Sequence, residues 1–190
     1  MNKSQKTKIK KLGVFTLSQA KEIGLSQQEL SRLVASDRLK RVARGAYLHP
    51  EADIEGDVGF QIACAKLGSK AAIGGLTALF HYNLIEQVPS KTWVIVPPDK
   101  KTRNSEYKLI RTKISLDKGV ITENGYRIVT LERAILEGLR FLTKIGERTA
   151  VKAARDALIK RQTTLSKLGK AAKELGLVSV LTKYQEVIVP

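Results

Sequence analysis

Residues 24–50, "GLSQQELSRLVASDRLKRVARGAYLHP", decide how this chain is read. Ser26 and Glu29 stand three apart, the spacing of a capping box, in which two side chains satisfy backbone N–H groups at a helix start. Leu30, Leu33 and Val34 follow at the i, i+3, i+4 spacing of a packed helical face. The opposite face carries Gln28, Ser31 and Arg32, with Gln27 at its flank. Beyond the helix, Arg38, Lys40, Arg41 and Arg44 crowd in front of Gly45. "LKRVA" and "AYLHP" flank "RG" as two short strands joined at that glycine. Leu39 and Val42 are three apart, so Leu39 belongs to the turn before the first strand.

Immediately upstream, Thr16 and Gln19 make a second capping-box pair, after which Leu17, Ala20 and Ile23 share one face. Gly24 ends that short helix as a left-handed terminator. Two capped helices joined by a glycine-containing turn outline a helix-turn-helix, and a hairpin directly behind the second helix is the wing of a winged helix. Gln27, Gln28, Ser31 and Arg32 suit the major groove: Gln can pair adenine, Arg can fork onto guanine, and Ser adapts to either. The N–H groups at the helix start favour phosphate. Taken alone, the same face is an ordinary polar one. The wing gives it a second meaning, with Arg44 at the tip and Lys40 and Arg41 along its flank, set for a phosphate backbone or a minor groove.

Composition agrees. The 190 residues are 43% hydrophobic, enough for a packed core, while 5% aromatic argues against a stacking platform for single strands. A formal charge of +16 draws the chain to polyanions, with nucleic acid ahead of an acidic membrane or an acidic protein. Half of that excess lies in the first 50 residues. The acid-containing "HPEADIEGD" follows at 49–57 and reads as a linker. The expected organisation is a DNA-binding domain at 1–50, a linker at 51–57 and a second domain at 58–190. One cysteine, Cys64 in "FQIACAKL", excludes an internal disulfide and reads as a small buried side chain. The N-terminus lacks the apolar core of a signal peptide and no run approaches a membrane span, so the expected location is the cytoplasm.

The second half is expected to mix α and β and to end in a helical bundle, giving an α+β chain. Residues 58–84 suggest two helices separated by "GSK", and "TWVIVP" and "EYKLIRTKI" read as strands. The turn "ENG" leads to the strand "YRIVT" and a helix opening at Thr130 that buries Leu131, Ala134, Ile135, Leu139 and Leu142. "ERTAVKAARDALIKR", "TLSKLGKAAKELG" and "VSVLTKYQEVI" read as three further helices.

The run 24–50 resembles the N-terminal winged helix of the AbiEi family, antitoxins of type IV toxin–antitoxin systems, whose "R-V-A-R-G-x-Y"-like hairpin corresponds here to Arg41–Tyr47. "AIGGLTALFHYNL", "WVIVP" and "VTLERAILEGLRF" resemble its second domain, so the likeness spans residues 12–185. Leu131 stands where the family pattern has proline and Glu137 where it has aspartate. The resemblance implies a phage-defence antitoxin that represses its own operon by binding inverted repeats in its promoter. It also implies that the second domain counters a nucleotidyltransferase-like toxin, without a stable complex being required. No cofactor, metal or catalysis is expected.

The alternative is a Mg²⁺-dependent DNA nuclease. Pro98-Asp99 followed by Glu106-Tyr107-Lys108 has the form of a "PD…ExK" signature, with two carboxylates for the metal and a lysine for the attacking water. Against it, the gap is tight for two strands and Asp99 sits among Lys100, Lys101 and Arg103. A basic protein associated with RNA or the ribosome is a third reading. His49 and His81 lack ligand-spaced partners, Gly74-Gly75 lacks Walker or dinucleotide spacing, and the Asp53, Glu55, Asp57 cluster lacks the remaining ligands of a calcium site.

Overall fold

The computed structural model describes residues 2–52 and 57–189, so 53–56 of the expected linker, with Asp53 and Glu55, lie outside the described residues. The chain forms two compact units, Met1–Ser69 with Thr122–Tyr126, and Lys70–Ile121 with Arg127–Pro190.

The first unit runs α1 (Lys3–Leu12), β1 (Val14–Thr16), α2 (Leu17–Glu22), α3 (Gln27–Ala35), β2 (Lys40–Ala43), β3 (Ala46–Leu48) and α4 (Val58–Leu67). Its antiparallel sheet has the order β1-β3-β2. Three helices and a small sheet in this sequence make a winged helix-turn-helix. Ile9, Phe15, Ala20, Leu25, Leu30, Leu33, Leu39 and Tyr47 form one core, with the Phe15 and Tyr47 rings 5.9 Å apart. The helix α1 was not foreseen from the sequence. Its signals are Asn2-x-x-Gln5, which forms a third capping box, and the spacing of Ile9 and Leu12. The unit reaches past residue 50 because α4 lies on the sheet. Gln61, buried, accepts the Val14 N–H at 3.0 Å and donates to the Asn124 carbonyl at 2.6 Å.

The second unit is built on a mixed sheet of order β6-β5-β4-β8-β7, of which Thr122–Tyr126 at the β7–β8 hairpin are grouped with the first unit. Its strands are β4 (Ala72–Ile73), β5 (Thr92–Val96), β6 (Tyr107–Arg111), β7 (Val120–Glu123) and β8 (Tyr126–Val129), of which β4 and β7 were not expected. α5 (Gly75–His81) packs on this sheet at close range. A Cβ on Gly74 or Gly75 would stand 2.5–2.7 Å from Ile95, Ile110 or Trp93, which is why two glycines occur there without any phosphate-binding spacing. The bundle comprises α6 (Leu131–Arg140), α7 (Leu142–Ile145), α8 (Glu147–Ile159), α9 (Leu165–Leu175) and α10 (Val178–Ile188).

Helix α6 is the centre of this unit, contacted by α5, α8, α9 and α10. Thr130 caps it by accepting the Arg133 N–H at 3.3 Å. Ala134, Ile135 and Leu139 are buried as expected, but Leu131, in the first turn, and Leu142, past the helix end at Arg140, are only half-buried. Arg133 and Glu137, one turn apart, are 0% exposed. The Arg133 Nε donates to Glu137 at 3.0 Å, and its Nη1 donates to the Ser115 and Lys118 carbonyls at 2.8 and 2.5 Å. One guanidinium thus ties α6 to the 115–118 loop. Burial pushes the Glu137 carboxyl upward against the pull of Arg133. Removing one partner strands a buried charge, which costs more than the pair itself contributes. Arg133→Ala should therefore lower stability by about 3–5 kcal/mol in urea denaturation of the second unit.

Candidate nucleic-acid interface

The direction of α3 is fixed at both ends. At its start, the Ser26 hydroxyl accepts the Glu29 N–H at 3.2 Å, and the Glu29 carboxylate accepts the Ser26 N–H and hydroxyl at 2.8 Å each. Those bonds hold the Glu29 carboxyl below its usual range. They also set a carboxylate beside the helix start, which offsets the pull on phosphate expected from its N–H groups.

The turn before α3 is a Schellman motif. Gly24 adopts φ +79°, its N–H donates to the Lys21 carbonyl, and the Leu25 N–H donates to the Ala20 carbonyl, both at 2.9 Å. The same motif ends α3, with Asp37 at φ 55° in the glycine position and the Arg38 N–H donating to the Leu33 carbonyl at 2.9 Å. Leu39 donates to that carbonyl too and is buried, so it belongs to the turn and not to the strand, as its spacing predicts.

With Leu30 and Leu33 buried inward, Gln27, Gln28, Ser31 and Arg32 are all exposed. Gln28 and Arg32 are one turn apart and share a face. The Ser31 hydroxyl donates to the Gln27 carbonyl at 3.0 Å and keeps its acceptor lone pairs. Arg32, Lys40, Arg41 and Arg44 are exposed and form no ion pair with a described residue.

The hairpin is a two-residue turn of Arg44 and Gly45 between paired Ala43 and Ala46, with Gly45 at φ +74° and Arg44 at the tip. The register shifts between Arg41 and Ala43, a bulge that bends the strand. Adjacent strand positions alternate faces, so Lys40, opposite Leu48, and Arg41, opposite Tyr47, flank the wing on different sides.

Charges behind the wing are engaged. Glu51 pairs with Lys10 at 2.5 Å and Lys6 at 3.4 Å, and its N–H donates to the buried His49 Nδ1 at 3.0 Å. His49 is thus a satisfied structural histidine. Burial holds its imidazole below the ordinary 6.5, with Glu51 opposing and Lys10 and Lys6 assisting. Across the window from the ordinary value down to the folded one, the unfolded chain binds the extra proton, so stability falls as pH falls. The urea midpoint should drop as pH falls through the ordinary imidazole range, and less steeply in a His49→Gln variant.

The nuclease constellation does not assemble. β5 and β6 are parallel, with Thr92 level with Tyr107 and Val96 level with Arg111. Asp99 follows the end of β5, whereas Glu106 precedes the start of β6 and gives its carbonyl to the Thr92 N–H at 2.9 Å. The two carboxylates therefore lie at opposite ends of the strand pair, separated by about 13 Å of strand rise. Glu106 accepts from the Asn104 amide at 2.9 Å, and the Lys108 ammonium lies 5.8 Å from the Trp93 ring centre. One Mg²⁺ cannot bridge such a pair. Supercoiled plasmid incubated with the protein and Mg²⁺ should remain supercoiled in an agarose assay. Cleavage abolished by Asp99→Ala would restore the nuclease reading.

Among the described residues, no three His, Cys, Asp or Glu side chains group as a metal site and no helix is long and apolar enough to cross a membrane. Cys64 is half-buried in α4. No curated protein matches the chain. Residues 8–50 match the family model described as transcriptional regulator, AbiEi antitoxin. That segment, which holds most of α1, α2, α3 and the wing, is an AbiEi-type regulator domain.

Proposed function

We propose, with the AbiEi-type regulator domain as premise, that the chain is a sequence-specific DNA-binding antitoxin of a type IV toxin–antitoxin system. In this reading it represses its own operon through inverted repeats in the promoter. Its second unit counteracts a nucleotidyltransferase-like toxin encoded beside it, with no stable complex required. The observation that carries the DNA part is the winged helix itself. An exposed Gln28/Arg32 face on α3 is followed directly by a wing whose Lys40, Arg41 and Arg44 have no partner within the described protein.

The roles divide by chemistry. Gln27, Gln28, Ser31 and Arg32 read base edges in the major groove, where a bidentate pair contributes about 1–3 kcal/mol of discrimination. Lys40, Arg41 and Arg44 hold phosphate and set the register. Binding to the protein's own upstream region should weaken steeply with salt, as counterion release requires. Arg32→Ala and Gln28→Ala should relax sequence preference in fluorescence anisotropy. Arg44→Ala should weaken all DNA alike and reduce the salt slope by about 1. Equal wild-type affinity for the upstream region and for random DNA would refute sequence-specific repression. For the antitoxin part, co-expression with the neighbouring toxin gene should restore growth.

A further inference from the structure

The helix-turn-helix turn is held by a residue from outside it. Gln5, half-buried on α1, uses its amide twice. Its Oε1 accepts the Asn2 N–H at 2.9 Å and closes the α1 capping box. Its Nε2 donates to the Ile23 carbonyl at 3.2 Å and the Gly24 carbonyl at 3.3 Å. Those carbonyls form the bend between α2 and α3. Beyond its Schellman bonds and the buried Leu25 the bend is open: α2 is only six residues long, Gly24 is exposed, and an added Cβ there would meet only the Gln5 amide, at 3.7 Å. The turn's own Schellman bonds close α2 on itself, whereas the Gln5 bonds tie it to another helix. A glycine-centred bend whose carbonyls face an amide donor is restrained in the two dihedrals that aim the following helix.

We propose that Gln5 is a positioning residue for DNA reading. It touches no base or phosphate. By clamping the Ile23–Gly24 carbonyls it fixes the angle at which α3 presents Gln28 and Arg32. The inference rests on the proposed DNA-binding role, and Gln5 lies ahead of the family-matched segment, which begins at residue 8. Its two amide functions are chemically separable, since Oε1 serves the α1 cap and Nε2 serves the turn. Glutamate keeps the cap acceptor and loses the donor. Methionine of similar length loses both without changing charge. Asn2→Ala removes the cap and leaves the Gln5 amide in place.

Full-length wild type, Gln5→Met, Gln5→Glu and Asn2→Ala would be compared by fluorescence anisotropy. The two DNAs are the protein's own upstream region and a random duplex of equal length, each titrated with salt. For Gln5→Met, affinity for the upstream region should fall about tenfold, the size expected from losing one or two net hydrogen bonds. Random-duplex affinity and the salt slope should stay at wild-type values, because the phosphate contacts remain. Gln5→Glu should lose the same discrimination ratio, its added charge lowering both affinities together. Asn2→Ala should keep it. Circular dichroism and thermal melts of each variant show that the winged helix is folded at the assay temperature.

An unchanged discrimination ratio in folded Gln5→Met overturns the proposal. So does an equal loss in Asn2→Ala, which would reduce Gln5 to a helix cap. If the wild type itself does not discriminate, the proposed sequence-specific function fails along with it, so the two failures are told apart by the wild-type curve.

Discussion

The way the first unit presents α3 depends on the bend at Ile23–Leu25. Gly24 supplies a left-handed backbone that other residues adopt at a cost, and Leu25 plugs the core immediately after it. Ser26 then restarts the helix with its hydroxyl on the Glu29 N–H. The chain passes from α2 into α3 within four residues, 23–26. With Leu30 and Leu33 committed inward, Gln28 and Arg32 have only one way to face. Losing either leucine's packing by truncation to alanine costs about 2–5 kcal/mol, a large share of what a small domain has in hand. The exposed Gln28 and Arg32 are thus tied to core residues by helical periodicity, and the turn ahead of them to α1 by the Gln5 amide.

In the second unit the organising group is a buried charge. Arg133 gathers Glu137 and the carbonyls of Ser115 and Lys118, and Glu132 accepts the Thr163 hydroxyl at 2.8 Å. The Thr-x-Glu-Arg run therefore ties α6 to the 115–118 loop and to the turn between α8 and α9, which explains why such polar residues sit on a central helix. A proline is absent at position 131, yet Thr130 still caps the helix, so the function of that element does not require it. Glutamate at 137 reaches Arg133 one helical turn away, which is the geometry an i, i+4 pair needs.

Much of this was legible in the sequence because local chemistry determined it. Both capping boxes, the Gly24 terminator, the Arg44-Gly45 tip and the placement of Leu39 all follow from residues within six positions of one another. The three C-terminal helices were likewise readable from periodicity. What escaped was short or non-local. β4 is two residues long and exists because Ile73 lies between Val94 and Ile128. α1 was obscured by its lysines, which mask the Ile9–Leu12 spacing. Gln61 carries no sequence sign that its amide will serve both Val14 and Asn124. The roles proposed for Gln27, Gln28, Ser31, Arg32, Lys40, Arg41 and Arg44 rest on residue type and exposure.

The pairing of Ile73 with Ile128 bears on how the molecule comes into being. A strand whose neighbour is translated so much later must wait, since closing a long loop precedes any gain from the contact. Residues 3–48, by contrast, pair no strand residues further apart than Val14 and Leu48. During synthesis the winged helix can close while the second sheet still lacks a central partner. A nascent or truncated chain would then carry a folded winged helix on an unfinished tail.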